Sequence, residues 1–204
     1  MMGGPARAAR LGLLAAAAAL CVGCAALWFG VMADSVACWG FGGACLLQVP
    51  PTLSLLGRIQ EGLGNRGLER DRLTLKGVSH LMGLLALGMA LTAAAELMGE
   101  RSPQASLPAQ GLALLAPGLL APIWYAKQRL ADLHPALDLD AARTRTLLEL
   151  AVMLLASSVL SHWFPWADAI TGLAMAVRLF FEGRSLARGT TLTVACGGCG
   201  TGCN

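Results

Sequence analysis

The chain alternates between long apolar stretches without charge and shorter segments that carry most of its basic residues. A helix needs about 20 mainly apolar residues to cross the hydrocarbon core of a bilayer. Five stretches are of about that length and contain no Asp, Glu, Lys or Arg: residues 11–33, 35–57, 77–95, 102–126 and 150–167. A sixth, residues 169–177, becomes long enough if Arg178 extends its side chain toward the interface and the apolar residues after it continue the helix. The pattern predicts six transmembrane helices.

The basic residues predict how these helices are oriented. Of the 15 Lys and Arg residues, all except Arg101 flank the predicted helices on the same side. Because cytoplasmic loops are enriched in basic residues, both termini are expected in the cytoplasm. This divides the chain into a cytoplasmic N-terminus (1–10), a six-helix transmembrane domain (11–185) and a cytoplasmic tail (186–204), with no folded C-terminal cytoplasmic domain. A cleaved signal with a lipid-modified Cys24 is disfavoured, because the apolar run is too long.

Composition agrees with the pattern. The chain is 56% hydrophobic and 13% charged, whereas soluble domains carry about a quarter charged residues. This excludes a water-soluble globular protein, and the net charge of +3 is too small to indicate a nucleic-acid partner. We expect an integral protein of a bacterial inner (cytoplasmic) membrane, with the lipid bilayer as its main surroundings. Because no Ser/His/Asp constellation, phosphate loop or pair of catalytic carboxylates is present, we do not expect an enzyme.

Charged groups close to the predicted helices have two interpretations. Ionisable residues at membrane depth are functional candidates by default. Glu96, Glu149 and Asp168, however, fall near predicted helix ends, which favours side chains that reach the interface. Residues 127–145 mix both signs of charge and predict a charged connection between the fourth and fifth helices; a divalent cation bound there is the less favoured alternative.

Cysteines offer softer ligands inside the predicted helices. Cys38 and Cys45 are seven residues apart and therefore share one face of the second helix. Thiolates select soft ions such as Cu(I) and also bind Zn(II), and Gln48 could add a neutral oxygen. Buried cysteine often behaves simply as a small hydrophobe. Both interpretations, a metal route and helix packing, stay open.

The clearest local motif is the C-terminal array of Cys196, Cys199 and Cys203, separated almost entirely by glycine. Three thiols in a C-x2-C-x3-C spacing predict a flexible chelating loop for a soft or transition metal ion such as zinc or copper. Alternatives are a redox thiol pair, an iron–sulfur ligand set, or a tail without function. In the cytoplasm the thiols would stay reduced.

Two segments resemble the cation diffusion facilitator family. Residues 163–183, with Trp163 and Asp168 near their start, resemble that family's W-x-x-D-P-x-x-A entry into helix six, and residues 29–37 resemble the turn into its second helix, with Ser35 before an alanine-rich run. The resemblance implies a dimer with a mid-membrane tetrahedral metal site built from helices two and five. Transferred to this chain, the site falls on four positions without a carboxylate or imidazole: Ala44, Gln48, Ala142 and Thr146.

The resulting functional hypothesis is metal-cation transport or handling, with the tail capturing the metal and a homodimer or another membrane protein as partner. One alternative is a non-transporting pseudo-transporter that anchors or assembles a metalloprotein. The other is a membrane thiol carrier or redox module.

Overall fold

The computed structural model is an all-α bundle and describes residues 4–60, 68–99, 107–131 and 135–196. The described residues form six helices, as many as the sequence predicts to cross the membrane. They are α1 (Gly4–Met32), α2 (Val36–Gln60), α3 (Leu68–Leu97), α4 (Leu107–Ala131), α5 (Pro135–Leu160) and α6 (Ala167–Cys196).

Four of these helices are long and apolar enough to cross a membrane. Within the described part of the chain the candidate spans are Ala9–Met32, Val36–Gly57, Arg72–Leu97 and Leu107–Leu130. Helices α5 and α6 do not qualify, because charged residues such as Asp140, Glu149 and Arg178 interrupt their apolar runs. The outer surface is also apolar, with leucines such as Leu84, Leu91 and Leu115 exposed. Soluble monomers rarely expose apolar surface on this scale, so the chain is a helical membrane protein.

Helix α2 lies at the centre of the bundle. It packs against α1, α3, α5 and α6, while α3 packs mainly on α6 and α4 mainly on α5. Phe41, Ala44 and Cys45 on α2 are fully buried. The small side chains of Ala44 and Cys45 permit the close helix contacts that stabilise bundles in lipid, where the hydrophobic effect between helices is weak.

Glycines bring α1 and α2 into backbone contact. A Cβ on Gly42 would lie 2.6 Å from the backbone nitrogen of Leu27, and one on Gly30 would overlap the backbone of Trp39. Backbone atoms cannot move aside as the end of a flexible side chain can. These two positions therefore require glycine for the observed spacing.

The α1–α2 connection is a tight turn built from local hydrogen bonds. Asp34 adopts a left-handed conformation (φ 51°), and the Ser35 amide donates to Gly30 O at 2.9 Å, which is a Schellman-type end for α1. The Ser35 hydroxyl then accepts from the Cys38 amide at 3.2 Å, which makes Ser35 the N-cap of α2. Ser35 thus contributes both to the end of α1, through its amide, and to the start of α2, through its hydroxyl.

Candidate functional site: two buried polar clusters

The cysteine tail lies at the limit of the described residues. Cys196 is the last residue of α6, while its side chain and the whole of Cys199 and Cys203 lie outside the described residues. The chelating loop therefore stays a prediction.

The two cysteines of α2 belong to the central core. Cys38 and Cys45 are both buried, and the Cys38 thiol donates to Ala26 O of α1 at 3.4 Å. Cys21 and Cys24, in contrast, are exposed on α1. Within the described residues no three His, Cys, Asp or Glu side chains are grouped so that they could hold a metal ion. Packing accounts for Cys38 and Cys45, and their role as metal ligands stays a prediction.

The four positions marked by the family resemblance do not all face one another. Ala44 and Gln48 are buried on α2, but Ala142 of α5 is exposed. Thr146 faces α6, where its hydroxyl lies 3.2 Å from Glu182 Oε2. The α5 residues that turn toward α2 and α4 are Asp140 and Thr144 instead.

Asp140 and Thr144 form the first buried polar cluster, which we call the Lys127 cluster (Lys127, Asp140, Thr144 and Thr52). The Lys127 Nζ of α4 lies 2.6 Å from Asp140 Oδ2 and donates to Thr144 Oγ1 at 3.0 Å. Thr52 of α2 places its hydroxyl 3.3 Å from Asp140 Oδ1. Both charged side chains are 7% exposed. A cation and its oxygen ligands thus join α2, α4 and α5 at the end of the bundle where α4 ends and α5 begins.

This cluster corrects the prediction that residues 127–145 form a charged connection. Lys127 lies inside α4, which continues to Ala131, and α5 already begins at Pro135. A buried charge is tolerated when it is paired and hydrogen-bonded. The Lys127–Asp140 pair meets that condition, so the helices continue through positions that look like a solvated loop in the sequence.

The second buried polar group is the Asp168 cluster (Asp168, Ser35, Ser157 and Glu96), at the opposite end of the bundle. Asp168 Oδ1 accepts from the Ser35 hydroxyl at 2.8 Å and from the Ser157 hydroxyl at 3.1 Å. Its Oδ2 lies 3.4 Å from the Ala37 amide. Asp168 is also in the first turn of α6, where the partial positive charge of the helix N-terminus favours an anion.

Glu96 of α3 completes this cluster. It is 7% exposed and Asp168 is 5% exposed, and the charge of Asp168 acts against a second negative charge on Glu96. The predicted placement of both residues at helix ends is confirmed, but their side chains do not extend to the surface, because the bundle covers them with protein. The helix-end position of each residue was visible in the sequence, but the face of the helix that it occupies was not.

A third group of charges pairs α5 with α6 and is half-exposed. Arg178 Nη2 lies 2.9 Å from Glu149 Oε2, and Arg178 Nη1 lies 3.3 Å from Glu182 Oε2. Thr146 accepts from the same guanidinium at 3.2 Å. Arg178 is thus paired with carboxylates on α5 and on its own helix.

No protein-family model matches the sequence, and no characterised protein shows significant similarity to it. The class is therefore defined by the fold and the buried groups: a helical membrane protein with four candidate spans and two buried polar clusters at opposite ends.

Proposed function

We propose that this chain is a six-span membrane protein of transporter-like architecture that handles metal ions at its cysteine tail without conducting them through the bundle. This combines the metal-handling hypothesis with the non-transporting alternative. It places α5 and α6 across the bilayer with the other four helices, both termini in the cytoplasm, and the protein in a bacterial inner membrane as a homodimer or as the partner of another membrane protein.

The observation that carries the proposal is the Lys127–Asp140 contact of 2.6 Å. In the family that the sequence resembles, helices two and five supply the ligands of the transported cation. In this bundle the acidic residue of α5 that contacts α2 is Asp140, and the ammonium of Lys127 is already paired with it. A metal ion at Asp140 would have to displace the Lys127 ammonium, which cannot leave because it is part of the same chain. Displacement would leave that ammonium buried and unpaired, at a large cost in free energy.

Metal handling is then assigned to the tail. Cys196, Cys199 and Cys203 supply three thiolates for a zinc or copper ion, and a fourth ligand would come from elsewhere in the chain or from a partner. Glycine between the cysteines lets the backbone adopt the conformations that a small chelate requires. The tail would hold a metal at the cytoplasmic face, and the bundle would keep it at the membrane.

Two measurements on the full-length protein test the proposal. The purified protein is expected to retain zinc or copper, and the triple variant Cys196→Ser/Cys199→Ser/Cys203→Ser is expected to lose it. The double variant Cys21→Ser/Cys24→Ser is the matched control and should retain the metal. In proteoliposomes, no flux of Zn(II), Cd(II) or Cu(I) above that of empty vesicles is expected.

The outcomes separate the alternatives. Metal flux that disappears in Cys38→Ser/Cys45→Ser would establish a thiol-lined transport route and overturn the non-conducting part of the proposal. Equal metal content with and without the tail cysteines would overturn the chelating part. A reversible Cys196–Cys199 disulfide in metal-free protein would favour the redox module.

The six-span arrangement has its own test. A periplasm-dependent reporter such as alkaline phosphatase is expected to be active after residue 163, between α5 and α6, and inactive at either terminus. Activity at a terminus would overturn the assignment of six spans with cytoplasmic ends.

A further inference from the structure

Glu96 has an unusual environment for a carboxyl group in a helical bundle. Both of its carboxylate oxygens are buried, and neither has a hydrogen-bond partner in the described structure. Its neighbours on the same face of α3 are the fully buried Ala93 and Met89, so the group lies at the edge of the apolar core. An ionised carboxylate that is buried without a partner carries a large free-energy cost, and such a group becomes neutral instead.

Asp168 has the opposite environment. Two hydroxyls and a backbone amide point at it, from Ser35, Ser157 and Ala37. The N-terminus of α6 adds a favourable dipole. Hydrogen bonds donated to a carboxylate stabilise its charged form, and Glu96 has none of these contacts in the described structure. The negative charge of Asp168 further disfavours a second negative charge on Glu96.

We propose that Glu96 is a proton-binding site, in which its buried carboxyl group carries one exchangeable proton at the same end of the bundle as the hydrogen-bonded Asp168. The step is a simple equilibrium: the Glu96 carboxylate takes up one proton from the aqueous phase to become a neutral carboxylic acid, and releases it again. Two carboxyl groups whose surroundings favour opposite protonation states are a recurring arrangement at sites that bind and release protons.

The other titratable groups around Glu96 do not offer an alternative partner. Helix α3 packs against α2 and α6; α2 contributes the Cys38 and Cys45 thiols, of which Cys38 lies near Asp168. Asp34 and His162, in the turns at the same end of the bundle, are both exposed.

The charges on the packed helices themselves are distant from Glu96. On α6 the next one after Asp168 is Arg178, ten residues or about 15 Å farther along the helix. On α3, His80 and Lys76 lie more than four turns away, by about 24 Å or more. A proton on Glu96 is therefore the simplest way to remove the charge repulsion with Asp168.

Infrared spectroscopy of the full chain in detergent tests this directly, because a protonated carboxyl group has a C=O stretch separate from that of carboxylates. At neutral pH the wild type is expected to show one such band, shifted by H/D exchange, and Glu96→Gln is expected to lose it. The matched control is Glu149→Gln, which changes a membrane-depth glutamate that is already paired with Arg178; the band should remain.

Asp168→Asn provides a second, independent readout. Removing the negative charge beside Glu96 makes its ionisation easier, so the band is expected to disappear at a lower pH than in the wild type. Where Asp168→Asn does not fold, the loss of the band in Glu96→Gln remains the deciding result.

Three outcomes would overturn the proposal. One is the absence of a protonated carboxyl band in the wild type, and another is a band that persists unchanged in Glu96→Gln. The third is loss of the band on adding Na⁺ or Ca²⁺ at constant pH, which would identify a metal-cation site rather than a proton site. None of these results bears on metal binding by the tail, so this proposal and the proposed function fail independently.

Discussion

The hydroxyl of Ser35 donates a hydrogen bond of 2.8 Å to Asp168 Oδ1 and so connects the start of α2 to the start of α6. The same carboxylate accepts from Ser157 of α5 and lies 3.4 Å from the Ala37 amide in the first turn of α2. One buried side chain therefore holds three helices together at the end of the bundle where α5 and α6 are connected. Ser35 simultaneously caps α2, so the position of α6 depends on the α1–α2 turn.

Asp168→Asn is expected to destabilise the protein in detergent by about 1–3 kcal/mol. The amide keeps the size of the side chain, but its nitrogen cannot accept a hydrogen bond and its oxygen loses the charge that strengthened all three contacts. The measurement is the thermal unfolding midpoint. Asp34→Asn, at an exposed left-handed position that Asn also tolerates, is the control and should be nearly neutral. Equal midpoints for both variants would show that Asp168 does not hold the helices together.

Lys127→Met is expected to lower the free energy of unfolding by about 3–5 kcal/mol, because it leaves the buried Asp140 carboxylate without its cation. The double variant Lys127→Met/Asp140→Leu removes both charges and is expected to recover most of that loss, since no unpaired charge remains. Unfolding of the two single variants and the double variant gives the coupling energy directly. An uncoupled result, in which the two losses simply add, would contradict the interpretation of the pair as mutually compensating.

The exposed ion pair of α5 provides the comparison for Lys127. Arg145 and Glu149 lie 3.1 Å apart, but the Arg145 side chain is 67% exposed. Exposed pairs contribute about 0–1 kcal/mol, so Arg145→Met should have a small effect on the unfolding midpoint. If Arg145→Met and Lys127→Met lower the unfolding midpoint by a similar amount, burial does not make the Lys127–Asp140 pair contribute more to stability than the exposed pair.

Gly30→Ala is expected to destabilise the α1–α2 pair by about 1–3 kcal/mol, the usual range for overpacking. The new Cβ would overlap the backbone of Trp39, which can be relieved only if the two helices separate. Gly118→Ala in α4 is the matched control, because nothing lies within 4 Å of its added Cβ and alanine is the better helix former. A midpoint at or above that of the wild type is expected for the control. If Gly30→Ala behaves like it, the close approach of α1 and α2 does not contribute to stability.

The number of helices was predictable, but the role of several charged residues was not. The charge-free stretches 11–33, 35–57 and 77–95 correspond to α1, α2 and α3, because an apolar run of that length has few alternatives to a helix in a bilayer. The stretch 150–167 is different, since α5 begins at Pro135 and already ends at Leu160. Lys127 and Asp140 were misread as parts of a loop, because sequence position does not reveal that a charge on α4 meets the opposite charge on α5. For Glu96 the place near the end of α3 was predictable, but not that the bundle buries its side chain.

The sequence by itself determined the class of protein, the helices and the composition of the cysteine tail, since these follow from local hydropathy, charge and spacing along the chain. Tertiary structure decided which polar groups meet. It paired Lys127 with Asp140, directed Thr146 toward Glu182 instead of α2, and buried both Glu96 and Asp168. These outcomes depend on helix rotation and on contacts between residues far apart in the chain. The free energy of a buried charge is determined by such contacts, because its cost depends on the neighbours that replace water.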